Sequence, residues 1–248
     1  MKKWLLICLI LCGASLSFGQ SYYSYYSTVD PSNAGFMTQL QTRIRSPFTS
    51  ISYDNFSNNI DDFASFPADG GKRKVQCVYM GDSYWYTYTP PFDYFSSMNR
   101  EHTWCQSWFP MTGPQYSDQH HLFPTNPSAN SSRGNNPLDK VVSVSRYWGD
   151  SKIGTDSRGR VVFEPRDSHK GDAARALLYM PVKHNGVYGD WTFSALSTLL
   201  GTSFQDVGIL LQWHQQDPPD KWEVERNNYI QSVQKNRNPF VDHPEWAN

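Results

Sequence analysis

Hydrophobic positions recur at helical spacing in several stretches of this chain. Phe36, Met37, Leu40 and Ile44 fall on one face of a helix that starts near Asp30-Pro31-Ser32, with Asp30 as cap, and stops at Ser46-Pro47. Asn126-Pro127 marks a second start and Gly134 its end, so that Asn130 and Arg133, three apart, share a face of a short helix. Asp172 to Met180 reads as helix, Trp191 to Leu200 as amphipathic, and Phe204 to His214 runs toward a stop at Asp217-Pro218-Pro219. Lys221 to Asn236 is the last long helix, with Trp222, Val224, Ile230 and Val233 as apolar positions.

Alternation at period two predicts a strand over Lys74 to Tyr79, a hairpin partner over Tyr84 to Tyr88, and a short strand at Val161 to Phe163. Lys140 to Trp148 fits strand or helix. Ser50 to Gly71 and Gly149 to Arg160, rich in Gly, Ser and Asp, read as loops. Ser21 to Ser27 reads as a mobile lead-in, and Pro239 and Pro244 mark an extended tail. The expected fold class is α+β.

The first residues change the accounting. Lys2 and Lys3, the apolar run Trp4 to Leu11 and Ser17-Phe18-Gly19 have the layout of a signal peptide, residues 1–19, cleaved after Gly19. The run is too short to span a bilayer. Residues 20–248 are then one domain of an exported protein, secreted or periplasmic, with no membrane attachment after cleavage. Only Cys77 and Cys105 survive removal of the leader. In an oxidising compartment the pair predicts one disulfide, the alternative being two separately buried thiols.

Without Lys2 and Lys3 the chain carries 20 basic against 23 acidic residues, a formal charge of −3. That balance is unusual for a nucleic-acid binder. Locally it reverses: Arg133 to Lys183 holds ten Lys and Arg against six Asp and Glu, which is either a phosphate-binding groove or a solvated charged face.

Two polar clusters carry candidate chemistry. The first is Asn99-Arg100-Glu101-His102-Thr103-Trp104, the second Ser117-Asp118-Gln119-His120-His121-Leu122-Phe123-Pro124, followed by Asn130 and Arg133. Together they suit a hard cation and a phosphodiester. His102 suits the general base, because imidazole titrates near neutral pH. Arg133 is the nearest group for a scissile phosphate, or else a surface ion pair. Arg100 and Arg175 are further candidates for substrate, Arg175 equally suiting a buried structural pair. Adjacent histidines seldom share a metal, so at least one of His120 and His121, His120 first, is expected to orient the site through a hydrogen bond. Glu101 and His102 would face opposite ways in a regular strand, so a shared site predicts a bend or bulge there.

The Arg-Glu-His segment, Asp118-x-His120-x-Leu122-x-Pro124 and Asn130-x-x-Arg133-Gly134-Asn135 resemble the endonuclease I family of secreted bacterial nucleases, of the His-Me finger (ββα-metal) group. Lys170 to Met180, Glu225-Arg226-Asn227 and Gln234 to Glu245 match its pattern too; the resemblance runs from about Lys72 to the C-terminus. Cys105 departs from it, standing where the family usually has proline.

The resemblance implies a ββα-metal core among helices, and a monomeric sugar-non-specific endonuclease that cuts DNA and RNA without sequence preference and leaves 5′-phosphate ends. It further implies Glu101 and Asn130 as ligands of one Mg²⁺ (or Ca²⁺ or Mn²⁺). Fifteen tyrosines and nine tryptophans also permit a different class, an exported module that binds nucleic acid or carbohydrate by stacking, without catalysis.

Overall fold

The computed structural model describes residues 22–53, 65–67, 72–87, 98–109, 112–187, 189–201 and 204–247. The signal-peptide segment lies outside these residues, as does most of the loop expected over Ser50 to Gly71.

Helix α1 spans Phe36–Arg45, burying Leu40 and Ile44. It starts five residues later than the capping signal suggested, because the Asp30 carboxylate is used in a tight turn with the amide and hydroxyl of Ser32. The tyrosine-rich lead-in is anchored: residues 22–25 make a helical turn, Tyr25 and Tyr26 are buried, and the Tyr26 hydroxyl donates to Asp242 at 2.9 Å.

Strands β1 (Ser65–Pro67), β2 (Lys72–Gln76) and β3 (Ser83–Thr87) form an antiparallel sheet in that order. Strands β4 (Asn99–His102) and β5 (Leu122–Thr125) form a separate two-stranded ribbon, with Glu101 opposite Phe123 and His102 opposite Leu122. Helix α2 (Pro127–Arg133) follows, capped by the Asn126 side chain and closed by Gly134, whose φ of 53° favours glycine.

Strands β6 (Ser143–Trp148), β7 (Ser151–Thr155) and β8 (Val161–Glu164) make a third antiparallel sheet with β6 at one edge. β7 falls within a stretch expected as loop. Composition misled there: Gly154 lets β6 approach so closely that a Cβ would lie 2.0 Å from the Ser143 carbonyl oxygen.

Helix α3 (Asp167–His184) is the central element, longer than expected and buried along both the alanine–leucine face and several polar positions. Helices α4 (Phe193–Leu200), α5 (Val207–Gln216) and α6 (Lys221–Gln234) are capped by Thr192, Asp206 and Asp220. α6 buries a polar face, Glu223, Arg226, Asn227, Ile230 and Gln234, and leaves Val224 exposed. Of the apolar positions expected there, Ile230 is buried and Trp222 packs on the core, but the rest of the buried face is polar, because these groups find buried partners. Helix α7 (Pro239–Asp242) replaces the extended tail, with Asn238 as cap and Phe240 and Val241 buried. Packing brings α2 against β4, and seats the 3₁₀ turn Gln119–His121 between α3 and α6.

Candidate active site

A cleft of about 190 Å³ opens where β4 ends, bordered by Arg100, Glu101, His102, Asn130 and Arg133. β4 supplies the first three and α2 the last two, so elements thirty residues apart meet because α2 packs on β4. β4 pairs with β5 in unbroken register, so the expected bulge is not there. Glu101 and His102 do point to opposite faces; they border one cleft because it lies at the strand's end.

Glu101 is buried, and its Oε1 accepts the Tyr79 hydroxyl at 2.6 Å and lies 3.0 Å from Arg133 Nη1. Burial raises its carboxyl above the usual range, while Arg133 and Tyr79 pull the other way. Among the described residues, Oε2 accepts no hydrogen bond. The Asn130 Nδ2 donates to the Arg100 carbonyl at 3.5 Å, which leaves Oδ1 as its acceptor at the cleft.

His102 faces the other side. Its Nε2 lies 2.8 Å from the Tyr116 carbonyl oxygen, and a carbonyl can only accept, so Nε2 carries the proton and Nδ1 the lone pair. Burial holds this imidazole down to about 4, against the pull of that carbonyl. Its ring stacks with Tyr116 at 5.2 Å and Tyr53 at 5.6 Å, and meets His121 edge-on at 5.1 Å.

Arg133 does not fill the role expected of it. It is 1% exposed and donates to the backbone carbonyls of His102 at 3.0 Å and Thr103 at 2.8 Å, besides pairing with Glu101. These contacts fix the turn that carries His102. Arg175 lies elsewhere, fully buried in α3 between Glu223 and Asp172 with the Asp217 carbonyl, which is the structural alternative. Arg100 borders the cleft, half-buried, with its guanidinium over the Tyr53 ring and a bond to the Tyr53 carbonyl.

His120 does not orient the cleft: its Nε2 lies 3.4 Å from the Asn236 carbonyl and its ring packs on Tyr179. The neighbour that touches His102 is His121, whose Nε2 donates to the Gln115 carbonyl at 2.9 Å. Cys77 and Cys105 are free thiols, not a disulfide. Each has its own partners. Cys77 Sγ accepts from the Met80 and Asn126 amides, and Cys105 Sγ lies 3.6 Å from the Gly134 carbonyl.

Sequence reasoning missed Tyr79, Tyr116, Tyr53 and the role of Asp118. The Asp118 carboxylate is fully buried and accepts from Tyr179 (2.9 Å), His184 (3.0 Å), Gln234 (2.9 Å) and the His120 amide (3.1 Å). Burial alone would raise it; the His184 hydrogen bond and the others outweigh this and hold it well below the usual range. The signal was present in the Asp118-x-His120 motif, but which of its members faced the cleft was not.

The donor set at the cleft is one carboxylate and one amide oxygen. Among the described residues no three His, Cys, Asp or Glu side chains gather to hold a metal. Hard oxygen donors with most positions left to water suit Mg²⁺ or Ca²⁺ better than zinc, so Glu101 and Asn130 fit such a cation.

The sequence matches the family Endonuclease I over residues 33–245. The chain belongs to the Endonuclease I family. An extracellular ribonuclease of Bacillus amyloliquefaciens is 32% identical over 240 residues, covering 90% of this chain and 76% of that protein. An extracellular ribonuclease of Bacillus subtilis (strain 168) is 38% identical over 165 residues, 60% of this chain and 52% of that protein. An extracellular deoxyribonuclease of Aeromonas hydrophila is 31% identical over 125 residues, 50% and 49%. The chain thus spans about half the length of the last two. As an Endonuclease I member it is a nuclease, hydrolysing phosphodiester bonds, and an exported one like its extracellular and periplasmic relatives. Endonuclease I enzymes generally use divalent metal ions. Among the described residues, no helix is long and apolar enough to cross a membrane.

Proposed function

We propose that the cleft beside β4 cuts DNA and RNA, with His102 as general base and one divalent cation, Mg²⁺ first, held by Glu101 and Asn130. The observation that carries this reading is the tautomer of His102. Its Nε2–H is committed to the Tyr116 carbonyl, so Nδ1 is the basic nitrogen, in neutral form at physiological pH. Nδ1 accepts a proton from water as the water attacks phosphorus.

In this reading β4, β5 and α2 are the ββα-metal element. The cation supplies charge neutralisation at the phosphate and at the leaving 3′ oxygen, which is the cleavage that leaves a 5′ phosphate. Glu101 is oriented for it by Tyr79 and Arg133, both on Oε1. Arg133 is a positioning residue, holding the His102 and Thr103 carbonyls. Arg100, on the cleft border, is the proposed phosphate contact. Contacts to backbone alone give no sequence preference. We further propose that residues 20–248 are one domain behind a cleaved signal and act as a monomer.

The test is side-by-side cleavage of plasmid DNA and ribosomal RNA with Mg²⁺ and with EDTA. Degradation of both with Mg²⁺, ended by EDTA, is expected. Undiminished cleavage in EDTA would remove the metal from the reading, and binding without cleavage would favour the non-catalytic module.

A further inference from the structure

The ten basic side chains between Arg133 and Lys183 do not form one groove. Arg133, Lys152, Arg158, Arg160, Lys170 and Arg175 enter ion pairs. Arg166 and Lys183 donate to the backbone carbonyls of Val78 and Ile44. Among the described residues, Lys140 and Arg146 make no ion pair and no such backbone contact, and of these two Arg146 lies beside an aromatic ring. Its guanidinium lies over the Trp148 ring, 4.0 Å from the centroid.

Both residues are on β6, an edge strand whose register shifts between Val144 and Arg146. A bulge of this kind re-aims the side chains that follow it. Here Arg146 and Trp148 border a shallow cleft of about 440 Å³ with Pro127, Ser128, Ser131 and Ser132 from the outer side of α2. Among the described residues, its lining holds no carboxylate. Ser131 also borders the cleft of Glu101 and His102, so the two hollows are neighbours on either side of one residue of α2.

We propose that this second hollow is a subsite for the nucleic-acid strand beyond the scissile phosphate. Arg146 takes a phosphate, a base lies on the guanidinium–indole stack, and the serine hydroxyls bond the sugar–phosphate chain. A cation on an aromatic plane beside hydroxyl donors suits an anionic polymer of stackable units, and stacking tolerates any base. The occupant is single-stranded nucleic acid, because only unpaired bases present a face to stack. This rests on the nuclease reading above.

The experiment measures binding of a fluorescent single-stranded 12-mer in EDTA, and cleavage of a 12-mer and a dinucleotide in Mg²⁺. Wild type, Arg146→Ala, Arg146→Lys and Trp148→Phe are compared, with Arg158→Ala as a control for lost surface charge. Arg146→Ala is expected to weaken 12-mer binding about ten-fold, with a salt slope shallower by about 0.7. Its cleavage loss falls in KM rather than kcat and shrinks on the dinucleotide. Arg146→Lys recovers part of the binding, Trp148→Phe is intermediate, and Arg158→Ala matches wild type. If wild type cleaves but Arg146→Ala binds and cleaves both lengths as wild type does, the subsite is wrong and the nuclease reading stands. If wild type cleaves neither substrate, both fall.

Discussion

His102 donates a hydrogen bond from Nε2–H to the carbonyl oxygen of Tyr116, 2.8 Å away, and so keeps Nδ1 as the basic nitrogen. The bond comes from backbone and survives any change of the Tyr116 side chain. His102→Ala should lower turnover by about 10²–10⁴-fold while 12-mer binding in EDTA stays within a factor of two or so. Retention of most activity at saturating metal would assign the base to another group.

Tyr79 acts one layer behind, through Glu101. Tyr79→Phe keeps the ring in the core and removes only the donor to Oε1. Apparent Mg²⁺ affinity should fall about ten-fold, as when such supporting partners are lost elsewhere. Activity at saturating Mg²⁺ should largely recover. A metal titration that leaves the midpoint unmoved would contradict the proposed ligand.

Arg133 and Arg175 are both buried and ion-paired, yet they should behave differently. Removing either strands a buried carboxylate and should cost about 3–5 kcal/mol in denaturant unfolding. Arg133→Ala also frees the His102 and Thr103 carbonyls beside the cleft, so the remaining folded protein should be nearly inactive. Arg175→Ala should retain activity per folded molecule, measured well below its melting temperature.

Acid should destabilise this protein early. His102, His120, His121, His169, His184 and His214 are all held below the ordinary histidine value, first by burial, His120 down to about 3. Below about pH 6.5 the unfolded chain therefore binds more protons than the fold, and stability drops as pH drops. A histidine like His120 accounts for about 2 kcal/mol at pH 5. Glu101, Asp139, Asp217 and Glu223, whose carboxyls burial raises (Glu223 to about 8), act in the opposite sense but are four against six among the described residues. Asp118 retains its contribution above about pH 4 and loses it below. Melting temperature in EDTA should fall steadily from pH 7 to pH 5; a flat profile would mean the imidazoles are not buried neutral.

Free cysteines give a simple mass measurement. Protein made from Gln20 onward, denatured and alkylated without reductant, should gain two adducts, and reductant should leave its melting temperature unchanged. In the native state Cys105 should alkylate slowly, since burial pushes its thiol up to about 12.

Much of the local structure was legible because its causes are local. Asn126, Pro127 and Gly134 bound α2 by capping, by a pre-set φ and by a positive φ, all within nine residues. Glu101, His102 and Asn130 were singled out from the sequence, His102 by its chemistry and the two ligands by the family resemblance, and the structure brings all three to one cleft.

What the sequence left open depended on which groups meet across long separations. Arg133, Arg175 and Arg146 are one residue type in one basic stretch. Packing makes the first a brace for the turn after β4, the second half of an ion pair with α6, and leaves the third on an edge strand. The free thiols and the polar buried face of α6 were hidden for the same reason. A buried polar group is tolerable only where a partner reaches it, and Glu223, Arg226 and Gln234 find theirs in Arg175, in the Gln119 and Leu122 carbonyls, and in Asp118. Periodicity registers which residues avoid water; only the tertiary structure decides which polar groups complete one another out of it.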